Sequence, residues 1–510
     1  MELNLKRTPL ASLSAALDAV SEQPVDIDFT LPDYCPDIEK LLRCKLTPKI
    51  YSRNLSGGQL QLEGNTVVSV LYADSENGRV RVAEQTVPFS AVFRLKETPE
   101  DYVMETGAKC EYVNCRALSR RRMTVHGAFS LCARLLKKEE TDLFSPEDIE
   151  NAEFLTRDVS LSSLSALGGA QFGVGDEVIV SGKPPVELVL DSDVNARITQ
   201  TRTIPDKLML SGDLCARLLY LSDADSPKPE RLDYIIPFSE VIDCAGLSED
   251  CTVCVNLDVM SYDVKLKNDI LSEKPVVNVD ARLSCTVSGY KQKEYTVALD
   301  AFGTENVCEP ELTRVAAPKD TRKISETFML KDALSLDDVK LSEIIDITAE
   351  KCPITVTAAD NKLTLCSKLN ICILAFNEDN EPIYLERSVE VNRETETDFR
   401  FNSVECSELS VVSLSFRLAE NNALEIRCEL NYSVLTSERQ SLNIVSSLNC
   451  FDDRPAVKKQ CALTLYYAEA GESLWEIAKL YGTPMSVIAF ENSLDAERLP
   501  KSAMLLIPTV

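Results

Sequence analysis

The chain has 510 residues, with 54 Lys plus Arg against 81 Asp plus Glu and a formal net charge of −27. That length implies about three to five domains. The acidic excess excludes a nucleic-acid binder or a surface that adsorbs to anionic lipid, since both need a basic footprint. No apolar run is long enough to span a bilayer.

In chain order, Met1–Val20 lacks the apolar core of a signal peptide. Thr8-Pro9 reads as an N-cap with Pro at the first helical position, and Leu10, Leu13, Leu17 and Val20 follow at helical spacing, which predicts a short helix.

Internal repetition comes next. Segments starting at Leu60, Leu208 and Leu363 align, 148 and 155 residues apart, and alternate with period two as strands do. Ile38-x-x-Leu41-Leu42, Val186-x-x-Val189-Leu190 and Leu341-x-x-Ile344-Ile345 keep the same offsets, and their i, i+3, i+4 spacing predicts a helical turn or two. A leader precedes each: Phe29-x-Leu31, Phe172-x-Val174, Phe328-x-Leu330. Downstream, the runs starting at Met123, Val277 and Leu424 shift the offsets to 154 and 147, so the second repeat gains about six residues in a connecting loop. A period near 150 residues is too long for a solenoid unit and fits a duplicated β domain.

The expected organisation is therefore an N-terminal helix over 1–24 and a first β repeat over 25–143. An acidic linker over 144–169 follows, with a helix opening near Ser145-Pro146. The second repeat covers 170–308, a linker 309–325, the third repeat 326–455, and a different, smaller domain 462–510. The fold class is mainly β: three tandem β-sandwich or barrel-like repeats and a small β-α-α-β domain.

Chemistry is sparse. His126 is the only histidine, alternates with Val125 and Gly127, and is expected on the solvent side of a strand. No GxSxG, HExxH or Walker motif occurs. Gly168-Gly169 and Gly173-x-Gly175 lack a following Lys-Ser/Thr and read as a flexible approach to the second repeat. Arg120-Arg121-Arg122 reads as a solvated turn. The eighteen cysteines are spread through strand-like runs and are expected to be reduced core residues. Cys251-x-x-Cys254 has no second pair or nearby histidine, so neither metal nor cofactor is expected.

From Leu463 the pattern changes. Leu463 to Ala468 reads as a strand. Ser473-Leu474-Trp475-Glu476 reads as a capping box, and Leu474, Ile477, Ala478 and Tyr481 form one helical face. Gly482 supplies a left-handed C-cap, Thr483-Pro484 opens a second helix, Asn492 can end it in αL geometry, and Leu505 to Ile507 closes with a strand.

Tyr467, Gly471-Glu472-Ser473-Leu474, Ile477-Ala478, Tyr481-Gly482, Ile488, Asn492 and Leu506-Ile507-Pro508 resemble a LysM domain over 463–509. The resemblance implies binding of N-acetylglucosamine-containing glycan in a groove between the first strand–helix loop and the last helix–strand loop. Two positions depart from the family: Glu472 stands where it has Asp, and Ser502 where it has Gly. With the apolar run Ala503-Met504-Leu505-Leu506, these suggest a groove adapted to a protein partner. The candidate partner- or glycan-binding set is Gly471, Glu472, Ser473, Trp475, Asn492 and Leu494. Trp475, the only tryptophan, is expected about 100° round the helix from Leu474 and partly exposed.

The string Phe29-Thr30-Leu31-Pro32-Asp33-Tyr34-Cys35-Pro36-Asp37-Ile38 resembles the opening of the SPOCS domain of endospore-forming Firmicutes. Its own physics suggests a Pro-punctuated turn entering a helix, with Asp37 near the N-terminus. SPOCS domains followed by a LysM domain are the architecture of SipL-like spore-coat morphogenetic proteins. The resemblance implies a noncatalytic scaffold in the mother-cell cytoplasm, at the forespore surface, binding the coat's basement-layer ATPase. A peptidoglycan-binding protein is the alternative, and the residue inventory argues against an enzyme.

Overall fold

The computed structural model describes residues 6–508 except 146–150, 179, 181–182, 224–225, 227, 268–275, 337–338, 352, 360, 420–422, 457–460 and 495–497. Lys6–Thr30 is a strand, β1, where a helix was expected. Its apolar residues at Leu17, Ala19, Val25, Ile27 and Phe29 alternate toward one core, with polar Ser21 and Gln23 breaking the run. A bulge between Ala15 and Leu17 changes the face presented further back. The helical-looking spacing does not mark one face: Leu10, Leu13 and Leu17 pack into three different clusters, and Val20 is exposed. Pro9 is tolerated because β1 lies on a sheet edge.

A meander follows: β2 (Ile38–Ser56), β3 (Gln59–Asp74) and β4 (Val80–Arg94), then a hairpin of β5 (Val103–Ser119) and β6 (Arg122–Ser145). β2-β3-β4 form one antiparallel sheet and β1-β6-β5 another, in those orders. Leu60, Leu62, Val68, Val70 and Tyr72 from the first sheet share a core with Phe29, Met123, Val125, Phe129 and Leu131 from the second.

The next unit runs β7 (Ala152–Val178), β8 (Leu188–Ile204), β9 (Lys207–Leu221), β10 (Glu230–Asp243), β11 (Thr252–Lys267) and β12 (Val276–Gly303), with sheets β8-β9-β10 and β7-β12-β11. The third runs β13 (Asn306–Ser335), β14 (Leu341–Lys351), β15 (Thr355–Ala359), β16 (Lys362–Asn377), β17 (Pro382–Glu396), β18 (Ser403–Leu418) and β19 (Ala423–Pro455). Here β14, β15 and β17 all pair with β16, and β13-β19-β18 form the other sheet. Each unit has its own apolar core. The segments starting at Leu60, Leu208 and Leu363 lie on β3, β9 and β16, the central strand of a sheet in every case. Two residues separate β5 from β6 but eight separate β11 from β12, so the expected six-residue gain falls at 268–275, outside the described residues.

Several expectations need correcting. The Ile38-type motifs are bulged strand, not helix: register shifts occur at Ile38/Lys40 and Leu41/Arg43, at Val189/Asp191, and at Leu341/Glu343 and Ile344/Asp346. Each bulge inserts a residue and flips side-chain parity, giving odd apolar spacings without a helix. The Pro36-Asp37 turn likewise enters strand β2. The three leaders do not occupy equivalent positions. Phe29 pairs with Met123, but Phe172 pairs with Leu283 and Phe328 with Leu430. The partners of Val277 and Leu424 are Val178 and Leu334, so the leaders lie six residues downstream at Val178-x-Val180 and Leu334-x-Leu336.

The two expected linkers are largely strand. Glu139–Ser145 belongs to β6, 152–169 to β7 and 309–325 to β13. Helix formation at Pro146 falls outside the described residues. β13 is a sheet edge, which accommodates Pro310 and Pro318, the latter beside a bulge. Gly168 is not a flexible approach: a Cβ there would lie 2.7 Å from the Asp243 carbonyl oxygen, so the strand needs a residue without one.

The three units meet through residues of matching register. Leu42, Leu190 and Ile345 share one cluster with Leu71, Leu219 and Leu374, both sets spaced by 148 and 155. Phe144, Ala298 and Val445, spaced by 154 and 147, share another. Beside the first cluster lie Arg43, Asp191 and Asp346, again 148 and 155 apart. Arg43 bonds Asp191 at 3.0 Å and Glu350 at 2.6 Å, and Lys45 bonds Asp191 at 3.0 Å. Arg231 approaches Asp346 at 3.5 Å.

The cysteines are not all reduced. Cys308 on β13 and Cys450 on β19 form a disulfide, cross-linking the far ends of the third unit's longest strand pair. Fourteen others are free, and Cys352 lies outside the described residues. Thiol titration of denatured protein without reductant should therefore fall short of the eighteen cysteines in the sequence, and a count of eighteen would show the bond is not formed.

Candidate functional site

The C-terminal module consists of β20 (Leu463–Ala468), α1 (Leu474–Tyr481), α2 (Met485–Glu491) and β21 (Ala503–Pro508). β20 and β21 pair antiparallel, Leu463 opposite Pro508 and Ala468 opposite Ala503. Alternation splits this small sheet into two faces. Ala468, Leu505 and Ile507 point at the helices, where Leu474, Ile477, Ala478 and Ile488 complete a core. Gly482 ends α1 at φ +59°, the left-handed cap its sequence called for.

The candidate binding residues are mostly engaged inside the molecule. Ser473 precedes α1 but its side chain makes no capping hydrogen bond, so the capping box does not form; the residue instead bridges to Arg498. Gly471 takes φ +90°, its N–H donates to the Leu499 carbonyl at 2.8 Å, and Leu499 N–H donates to Glu472 O at 3.1 Å. The two loops expected to wall a groove are thus bonded to each other. The Glu472 carboxylate accepts from the Tyr466 hydroxyl at 2.7 Å and from Glu469 N–H at 2.9 Å. Asn492 has φ −103°, not αL, and Ser493 takes the positive φ instead. The Asn492 amide donates to Ile488 O and Leu506 O and accepts from Leu506 N–H, tying α2 to β21. Leu494 packs, half-buried, on the module core.

Trp475 is the main correction. It is 6% exposed, not a free anchor. Its ring lies 5.0 Å from Phe302, and its Nε1–H donates to Asp300 Oδ2 at 2.9 Å, both partners on β12. Lys479, one helical turn on, donates to both Asp300 oxygens at 2.7–2.8 Å. Burial alone would raise the Asp300 pKa, but Lys479 and the indole N–H hold it below the usual carboxylate range. The tryptophan latches the module onto the second β unit.

What remains open is the outer sheet face. Leu463, Leu465, Tyr467 and Met504 are 49–67% exposed, and half-buried Leu506 and Pro508 lie in register beside them. Period-two alternation in β20 carried this signal: Leu463, Leu465 and Tyr467 share a parity opposite to that of Ala468.

Elsewhere, His126 is exposed as expected and pairs with Asp26. Arg121 does more than solvate a turn. It donates to Pro32 O at 2.7 Å, to Cys35 O at 3.1 Å and to Asp37 at 2.8 Å, pinning the turn that enters β2. Cys251 and Cys254 diverge: the first contacts Ser248, the second Cys406.

Residues 37–118 and 185–267 match the family model described as SipL, SPOCS domain. The matched segments start 148 residues apart, the register read from the repeats, and cover β2–β5 and β8–β11. They support a SipL-like, sporulation-related protein. No curated protein and no solved structure matches the chain. Among the described residues, no helix is long and apolar enough to cross a membrane.

Proposed function

We propose that this chain is a noncatalytic adaptor of spore-coat assembly, acting in the mother cell at the forespore surface. Three tandem β-sandwich copies of a SPOCS-like unit set its geometry, and a LysM-like module presents its partner-binding surface. The observation that carries this reading is the pair of SPOCS matches in one register. The partner, by the resemblance to SipL-like proteins, is the coat's basement-layer ATPase.

The binding surface in this reading is the outer face of β20–β21. Contiguous exposed apolar side chains mark interaction sites, and the loop residues of a glycan groove are occupied with one another. An apolar anchor at a protein interface contributes upwards of ~2 kcal/mol, about thirtyfold in affinity. Leu465→Glu, at a position 63% exposed, should weaken capture of the ATPase at least that much while leaving the thermal midpoint unchanged. Undiminished binding would move the interface elsewhere. Tight binding of the full chain to chitin oligomers, with none to the ATPase, would replace the adaptor reading with a glycan-binding one.

A further inference from the structure

Cys254 on β11 and Cys406 on β18 belong to different β units, 152 residues apart in sequence, yet their Sγ atoms lie 2.8 Å apart. They sit where all three units converge, beside Ala11 of the first, Leu164 and Tyr290 of the second and Leu435 of the third. Both residues are only partly buried. We propose that Cys254 and Cys406 form an oxidant-responsive cross-link that staples the second β unit to the third, with a low-molecular-weight disulfide as the oxidising co-substrate.

The geometry needs little change. A disulfide holds its sulfurs at about 2.05 Å, so closure is a movement of less than an ångström, within the reach of a χ1 adjustment. The thiols also differ in role. Cys254 donates its S–H to Cys406, which lowers the pKa of Cys406 and, together with burial, raises that of Cys254. Cys406 is therefore the attacking thiolate. It attacks one sulfur of the small disulfide, breaks that bond, forms a mixed disulfide and expels one small thiolate. Cys254 then loses its proton to water and attacks the Cys406 sulfur, expelling the second. Two protein thiols are oxidised and one small disulfide is reduced to two thiols, so atoms and electrons balance. The Cys308–Cys450 bond shows that this chain holds a disulfide elsewhere, but that bond lies within one unit, whereas this one would join two.

The test uses the full-length protein, reduced and then exposed to oxidised glutathione, alkylated, digested without reductant and analysed by mass spectrometry. A linked peptide pair joining Cys254 to Cys406 should appear in the wild type, vanish on reduction, and be absent from Cys406→Ser. In Cys254→Ser, Cys406 should accumulate as the glutathione mixed disulfide, because its resolving thiol is gone. The wild-type digest is decisive even if a variant folds poorly. Free or separately glutathionylated Cys254 and Cys406 in fully oxidised wild type, with the Cys308–Cys450 pair recovered as an internal control, would overturn the proposal.

Discussion

Trp475→Glu should release the C-terminal module from β12 and unfold much of it. The indole is buried against Phe302 and within the module's own core, and its Nε1–H is one of the bonds holding Asp300. Removing a buried aromatic ring costs about 3–5 kcal/mol. Placing a carboxylate beside Asp300 adds like-charge repulsion. Hydrogen exchange across β20 and β21 should accelerate in this variant, and native-like protection would refute the latch. Asp300→Ala separates docking from folding, because it removes the polar contacts but leaves the module core. Since Trp475 is the only tryptophan, its emission reports directly, and a red shift in Asp300→Ala is expected. The latch also has a pH sign. The Asp300 carboxyl is held below its ordinary value, so its contribution is fully present above the unfolded-state pKa of about 3.9 and is lost as pH falls through the folded value.

Asp191→Ala should be the most damaging single change among the charged residues. Its side chain is 11% exposed and neutralises both Arg43 and Lys45, themselves 10% and 18% exposed. Removing one partner of a buried ion pair leaves an uncompensated charge and costs about 3–5 kcal/mol. Arg43 keeps Glu350, but Lys45 has no other carboxylate among the ion pairs of the described residues. A double-mutant cycle with Arg43→Ala should show the second loss costing less than the first, by about 1 kcal/mol or more. A denaturation midpoint shift in Asp191→Ala worth less than about 1 kcal/mol would mean that water screens the cluster.

Much of the β architecture was readable because alternation is a local signal. The segments starting at Leu60, Leu208 and Leu363 are legible as strands because a strand buried on one side alternates. What failed was whatever depended on a distant partner. Lys6–Thr30 looks helical until its pairing with the distant β6 makes it a strand. Residues 152–169 read as linker because only their pairing with β12 makes them a strand. In the C-terminal module, the helix and strand positions followed from residues close in sequence. The fate of Trp475 did not, because Asp300 and Phe302 lie about 175 residues earlier. Arg121 reads as part of a solvated turn for a similar reason: its acceptors belong to a turn more than eighty residues upstream.

The convergence of Arg43, Asp191 and Asp346 at matching register has a consequence for how such a body can vary. Three identical polypeptides on a common axis would place the same side chain there three times, and three guanidinium groups or three carboxylates would repel. Because the positions belong to one polypeptide, each can change alone, and here one is a cation while two are anions. The contact then distinguishes its neighbours: Arg43 donates to Asp191 and Glu350, whereas Asp346 pairs with Arg231. Near-equivalent positions thereby acquire different partners, and a copy of the second or third unit put in place of the first would set a third carboxylate where Arg43 stands.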